Sequence, residues 1–325
     1  MKKIRNKKEF QQLIENFQSK HKKMPYAYAL GEGFLDENEN LISVRWINIY
    51  IQKKHFSLPT SLFKTGKKLY AILYANKESL IKKDPTSCAD ALCRLTMISK
   101  LKFKPNELNL YNAFNLLNKL YYTTEGAMTE IQWKKEFKKG NCIQPIAIDK
   151  FPPLWWGTLI PKNVRIADSS RVRLGAYLSP GTTVMHEGFV NFDAGTLGPC
   201  MVEGRISSGV TVGKNSDLGG GSSIMGTLSG GGKKKITIGE NCLLGANSGT
   251  GISLGNRCTI EAGLYITSGM KIFVTVNNFG FTEKTYVKAK KLSGKNDMLL
   301  RRNSQTGTVE LLWNEKPNKL NMVLH

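Results

Sequence analysis

The 325-residue sequence predicts three parts: a mixed α/β N-terminal domain over 1–150, a parallel β-helix over 151–275, and a small C-terminal β segment over 276–325. Two observations carry this. Five glycines precede residue 151, 23 fall between 151 and 275, and three follow. Within the glycine-rich part, every sixth residue is apolar: Ile166, Val172, Leu178, Val184, Val190; then Ile206, Val212, Leu218, Ile224; then Ile236, Cys242, Ser248, Leu254, Ile260, Ile266, Ile272. Fourteen of these sixteen are aliphatic, and the phase breaks where TLGPC and LSGGGKKK are inserted. A six-residue period points one side chain per short strand into a prism while glycines turn the corners. An amphipathic helix fails on both period and glycine content.

In the N-terminal part, alternating residues in YAYALGEGF and ISVRWINIYI read as strands joined by the turn-rich DENEN. Asp84 followed by Pro85 predicts a helix start before TSCADALCRLTMISK. NELNLYNAFNLLNKLYY, with apolar residues three and four apart, predicts a second helix. FPPLWWG, 151 to 157, ends the domain, because consecutive prolines cannot continue a helix or a central strand.

Composition narrows the function classes. The chain carries 47 Lys and Arg against 25 Asp and Glu, a formal charge of +22. That surplus suits polyanions, phosphate-rich cofactors and carboxylate substrates. The lysines are spread in twos and threes, and aromatics make up 9% of residues without basic and aromatic interleaving, which argues against nucleic acid as the partner. No apolar run matches a membrane span or a leader, so the expectation is a soluble, cytoplasmic protein. Six scattered cysteines without a paired CxxC predict reduced thiols rather than disulfides or zinc.

The run RVRLGAYLSPGTTVMHEGFVNFDAGTLG, then MVEGRIS, DLGGGSSIMGTLSGGG, CLLGANSGTGISLG and IEAGLYITSG, followed by KAKKLSG and RRNSQTG, resembles the longer form of the tetrahydrodipicolinate N-succinyltransferase family, within the hexapeptide-repeat acyltransferases. The resemblance implies left-handed coiling, against the usual right-handed rule for parallel crossovers. It also implies a homotrimer with active sites between neighbouring β-helices. The implied reaction moves succinyl from succinyl-CoA to the nitrogen of a cyclic dicarboxylic imine in diaminopimelate and lysine synthesis. The N-terminal part shares only length and general character with the family, and no roles are carried over to it.

MVEGRIS supplies the carboxylate such chemistry needs. The resemblance makes Glu203 the catalytic residue, as a nucleophile forming a mixed succinyl anhydride; a general base acting on the nitrogen is the alternative. On a strand, Arg205 would share a face with Glu203 and could hold a substrate carboxylate in bidentate fashion. The resemblance assigns Gly220, Ser223, Ala246, Glu261, Ala262 and Gly269 to the CoA site, where small residues let a pantetheine arm lie close to the backbone. It adds Lys288, Arg301, Arg302, Asn303 and Ser304 as C-terminal cofactor contacts. Gly226 is a candidate oxyanion donor. Glu187 matches a magnesium position of the family, but the partner position, an Asp there, is Ser170 here, which puts the metal in doubt; Asp168 is a possible substitute. His186, the lone histidine of the repeat, is a candidate base, although the family places its catalytic carboxylate elsewhere. Two rivals stand beside this reading: the same fold with another donor or acceptor, acetyl-CoA or an amino sugar, and a basic binding protein whose affinity falls steeply with salt.

Overall fold

A computed structural model describes residues 1–52, 63, 67–275, 279–280, 284–316 and 319. The chain forms two compact units, Met1–Leu159 and Ile160–His325. Among the described residues no helix is long and apolar enough to cross a membrane.

In the first unit a four-stranded antiparallel sheet is built around Ala27–Leu35, which pairs with Leu41–Ile51 on one side and Leu69–Tyr74 on the other. DENEN makes the hairpin turn, with Asp36 accepting from the backbone N–H of both Asn38 and Asn40. The helix Lys7–His21 buries Phe10 and Ile14 against Tyr28 and Leu30 of the sheet. The helix Cys88–Ser99 starts later than Asp84–Pro85 predicts. Ser87 is its cap, its side chain accepting from Asp90 N–H, while Asp90 accepts in return from Thr86 N–H. This reciprocal arrangement satisfies two donors at the helix start, which Asp84 does not do.

NELNLYNAFNLLNKLYY is not a continuous helix. Asn106 and Asn112 adopt left-handed conformations, at φ 66° and 63°, and only Ala113–Leu116 is helical. Leu120–Thr123 is instead the central strand of a small sheet with Gly126–Met128 and Ala147–Asp149. Asparagine side chains compete for backbone groups and tolerate left-handed turns, so the apolar spacing is overridden. Trp156 of FPPLWWG packs between Phe34 and Tyr122, with ring centroids 5.2 and 5.0 Å away.

The second unit is a parallel β-helix with three faces. The first stacks Arg165–Ile166, Thr182–Val184, Cys200–Val202, Ser216–Leu218, Leu243–Leu244 and Thr259–Ile260. The second stacks Phe189–Val190, Arg205–Ile206, Ser223–Ile224, Gly249–Thr250 and Tyr265–Ile266. The third stacks Ala176–Leu178, Ala194–Thr196, Thr211–Val212 and Thr237–Ile238. Fifteen of the sixteen positions in the six-residue register are buried, Ser248 among them; Ile166, in the terminal coil, is half-buried. Burial of this aliphatic column is the main stabilisation of the prism, since each short strand contributes few backbone bonds of its own.

The C-terminal strands continue the first face. Met298–Arg302 adds in parallel to Thr259–Ile260 and turns back antiparallel through Val309–Trp313. Lys271–Val274 then pairs with Val309–Trp313 and with Thr285–Lys288. All six cysteines are free thiols.

Candidate functional site

MVEGRIS is not one strand. Cys200–Val202 lies on the first face and Arg205–Ile206 on the second, so Glu203 and Gly204 form the corner between them. Alternation along a strand therefore does not relate Glu203 to Arg205; they adjoin because both stand at one edge of the prism. The N–H groups of Glu203 and Gly204 both donate to Leu218 carbonyl, at 2.8 and 3.1 Å, and Arg205 N–H donates to Ser222 carbonyl at 2.7 Å. Gly204 is required by close approach: a Cβ there would lie 2.0 Å from Ser222 Oγ. The glycine after the Glu was the available signal for this corner.

The same corner recurs coil by coil. Gly219 N–H donates to Leu244 carbonyl, Gly245 N–H to Ile260 carbonyl and Glu261 N–H to Leu300 carbonyl. Successive rungs at one edge thus carry Glu203, Gly220, Ala246, Glu261 with Ala262, and Arg301 with Arg302. At about 4.8 Å per rung, the four steps from Glu203 to Arg301 span about 19 Å. A Cβ on Gly220 would stand 3.5 Å from Glu203 Oε2, which places the Gly220 backbone beside the carboxylate. Ser223, paired in register with Arg205, accepts a 3.0 Å hydrogen bond from Arg205 Nη2. Glu203 is half-buried, and among the described residues its carboxylate has neither a hydrogen-bond donor nor an ion-pair partner. Arg205 is exposed.

The far end of the column is tied down by a contact that sequence spacing does not show. Arg302 N–H donates to Glu261 Oε2 at 2.7 Å, and the Arg302 guanidinium donates to Gly307 carbonyl at 3.0 Å. Arg301 faces Glu310 at 3.5 Å, and Asn303 Nδ2 donates to Glu310 Oε1 at 2.8 Å. Asn303 also shapes the hairpin, its Oδ1 accepting from the N–H of Gln305 and Thr306; Ser304 is exposed in that turn.

Other candidates lie elsewhere. Gly269 is exposed after the last second-face strand, with Lys288 close by: Ala289 N–H donates to Met270 carbonyl, Lys290 N–H to Ser268 carbonyl, and Lys288 pairs with Lys271. Gly226 follows the second-face strand Ser223–Ile224 and so sits at its other end from Gly220; its carbonyl accepts from Ile236 N–H. His186 and Glu187 are exposed. Ser170 donates through both N–H and hydroxyl to Asp168 Oδ1, at 2.9 and 2.7 Å, and these bonds, with Arg171 and His186 nearby, hold the Asp168 carboxyl below its usual range. Among the described residues no three His, Cys, Asp or Glu side chains gather as a metal site. One chain alone therefore does not supply a hard-cation cage around Glu187.

Comparison with known proteins identifies the family. Residues 235–268 match the model of the hexapeptide repeat of succinyl-transferase. The chain is 47% identical over 274 residues to the 2,3,4,5-tetrahydropyridine-2,6-dicarboxylate N-succinyltransferase of Pseudomonas aeruginosa, covering 83% of this chain and 77% of that one. It is 49% identical over 246 residues to the Vibrio cholerae protein of the same name, covering 74% and 71%. This chain belongs to the 2,3,4,5-tetrahydropyridine-2,6-dicarboxylate N-succinyltransferase family. A crystal structure from Campylobacter jejuni, described as a 2,3,4,5-tetrahydropyridine-2-carboxylate N-succinyltransferase, superposes with a TM-score of 0.83 at 26% identity, covering 96% of this chain and 98% of that one. The second unit is accordingly the left-handed parallel β-helix of an N-succinyltransferase.

Proposed function

We propose that this N-succinyltransferase moves the succinyl group of succinyl-CoA to the nitrogen of tetrahydrodipicolinate, with Glu203 as the reacting carboxylate and the edge from Gly220 to Arg302 as the CoA track. The observation that carries the proposal is the unpartnered Glu203 carboxylate beside the Gly220 backbone, at the edge where Arg205 bonds Ser223. A thioester at that end would leave a pantetheine arm running past Gly220, Ser223, Ala246 and Ala262. The nucleotide phosphates would then fall toward Arg301, Arg302, Asn303 and Ser304, with Lys288 and Gly269 as further contacts. Cations suit phosphates, and residues with little or no side chain leave backbone groups open to the arm's amides.

In the reaction, water adds across the C=N bond and gives the ring nitrogen an N–H; that nitrogen then gains the succinyl carbonyl carbon, the C–S bond breaks, and CoA leaves as its thiol. The ring opens to N-succinyl-2-amino-6-oxopimelate. Acting as a base, Glu203 takes the proton that the nitrogen loses. Acting as a nucleophile, its oxygen first displaces CoA and carries the succinyl group as an anhydride until the nitrogen attacks. Arg205, steadied by Ser223, holds a substrate carboxylate in either route.

The assembly we infer is a cytoplasmic homotrimer in which neighbouring β-helices share each active site, and the C-terminal strands contribute to CoA binding. No step is routed through magnesium, because the residues around Glu187 in one chain do not form a site for it. Donor choice tests the reading: CoA thiol release should be faster with succinyl-CoA than with acetyl-CoA on the cyclic dicarboxylate. Equal or better use of acetyl-CoA would sink it.

A further inference from the structure

We propose that the adenine base of CoA stacks on an aromatic platform made by Phe273 and Tyr286, and that Lys271 joins Lys288 in holding a phosphate beside it. The proposal rests on succinyl-CoA as the donor, and it places the one part of CoA that the track from Gly220 to Arg302 leaves without a partner.

The register of the C-terminal strands builds the surface. Arg301 pairs with Glu310, Glu310 with Phe273, and Phe273 with Tyr286, so their side chains stand in one row across four neighbouring strands. Residues paired directly across strands share a face of the sheet. Leu300, Leu311, Val274, Ile272 and Val287, which alternate with this row, are all buried on the opposite face, so the row points outward. Lys271 and Lys288 pair with each other two residues along from Phe273 and Tyr286 and share that outward face. Asn303 reaches it at the other end, where its Nδ2 donates to Glu310 Oε1 at 2.8 Å. The proposed cofactor contacts Lys288 and Arg301 therefore bound one surface, three strand spacings or about 14 Å across. Phe273, Tyr286 and Lys271 belong to the same surface.

Two features of that surface fit a nucleotide. The first is aromatic. Tyr286 is 58% exposed, with its ring centroid 5.0 Å from that of half-buried Phe273. An exposed ring backed by a second one offers a flat base a stacking partner.

The second is charge. Lys271 and Lys288 are exposed and directly opposite each other, and among the described residues neither has an ion-pair partner. Like charges placed this way disfavour the pairing unless an anion lies between them. The carboxylate on this surface, Glu310, is instead engaged by Arg301 and Asn303.

Inorganic phosphate would meet the lysines and leave the rings unused, and a neutral aromatic compound would do the reverse. The nucleotide end of CoA carries both an adenine and phosphates. With the base on Tyr286 and Phe273, its 3′-phosphate meets Lys271 and Lys288, and its diphosphate is left to Arg301, Arg302 and Asn303.

The test uses the full chain, with adenosine 3′,5′-bisphosphate, the nucleotide end of CoA, as the binding probe. It should bind saturably and compete with succinyl-CoA. Tyr286→Leu and Lys271→Met should each weaken it about tenfold, as loss of one base stack or one charge-assisted contact implies. Tyr286→Phe, which keeps the ring, should recover the affinity. Lys271→Met should melt no lower than the parent chain, because it removes one of two facing charges. In turnover, the ratio of kcat/KM for succinyl-CoA to that for succinyl-pantetheine, which lacks the nucleotide, should fall about tenfold in Tyr286→Leu and Lys271→Met, through the KM for succinyl-CoA. Unchanged bisphosphate affinity in both variants, competition by inorganic pyrophosphate as strong as by the bisphosphate, or an equal fall with both donors would overturn the proposal. Bisphosphate binding is read without turnover. A parent chain that binds it through Tyr286 but transfers succinyl from neither donor would overturn the Glu203 assignment and leave the base site standing.

Discussion

Two adjacent glycines should respond to alanine in opposite ways. At Gly220 the backbone conformation is open to any residue, and the added Cβ would meet only Glu203 Oε2, at 3.5 Å, an ordinary contact. At Gly221 φ is +69° and the Cβ would lie 2.3 Å from Asn247 Oδ1. Gly220→Ala should therefore keep the melting temperature or raise it slightly, since removing a glycine restricts the unfolded chain by about 0.4–1 kcal/mol. Its methyl, however, occupies the space beside the carboxylate where the thioester must sit. A displacement of about 1 Å at a reacting centre costs on the order of 100-fold in rate, so kcat/KM should fall roughly 10- to 100-fold. Gly221→Ala should lose about 1–2 kcal/mol to the left-handed conformation, a drop of roughly 2–8 °C for a unit of this size. Thermal melts and CoA thiol release on the two variants check both. Full activity in Gly220→Ala, or activity lost only in step with stability, would refute the placement of Gly220 at the reacting carboxylate.

Three further results are expected. Arg205→Met should reduce kcat/KM about 10- to 100-fold, the value of one charge-assisted hydrogen bond to a substrate carboxylate, with CoA affinity unchanged; steady-state kinetics against both substrates would show this. Ser223→Ala, which removes the bond that steadies Arg205 and a hydroxyl on the proposed CoA track, should lower kcat/KM in the same direction. Alkaline stability should follow the buried thiols. Burial pushes Cys88 up to about 11 and Cys200 up to about 12, from an ordinary value of 9.0, so both favour the protonated form in the folded state. Their contribution is complete below pH 9 and is lost as pH rises toward 11–12. Melts from pH 8 to 11 should fall less steeply in a Cys88→Ala, Cys200→Ala double variant than in the parent chain, and an equal slope in both would contradict the assignment.

The β-helix was legible because its core is one column: each coil sends an aliphatic side chain to the same place, and the six-residue spacing resumes after each insertion. Even Ser248, a polar residue in that register, is buried there. The corners were not legible at the same resolution. A six-residue period says which residue points inward, but not that the first strand ends at Val202 and the next begins at Arg205. The tie between Glu261 and Arg302 joins positions 41 residues apart, a separation that no local pattern encodes. In the first unit, the helix expected over 106–122 failed where asparagine turns and cross-strand pairing overrode apolar spacing, while the cap of Cys88–Ser99 moved to Ser87 because its hydroxyl reaches Asp90 N–H. The helices Lys7–His21 and Glu130–Lys138 were missed altogether. For Glu130–Lys138 the signal was present, a Thr129 and Gln132 capping box just before the helical run.

The central claim is that Glu203 reacts rather than decorates the prism. It is tested most directly by CoA thiol release with succinyl-CoA and the cyclic dicarboxylate in a Glu203→Gln variant, alongside CoA binding and a thermal melt. Glutamine keeps the shape and loses both basicity and nucleophilicity. The account predicts turnover down about 100- to 10,000-fold with CoA affinity and melting temperature unchanged. Near-normal turnover in Glu203→Gln would contradict it.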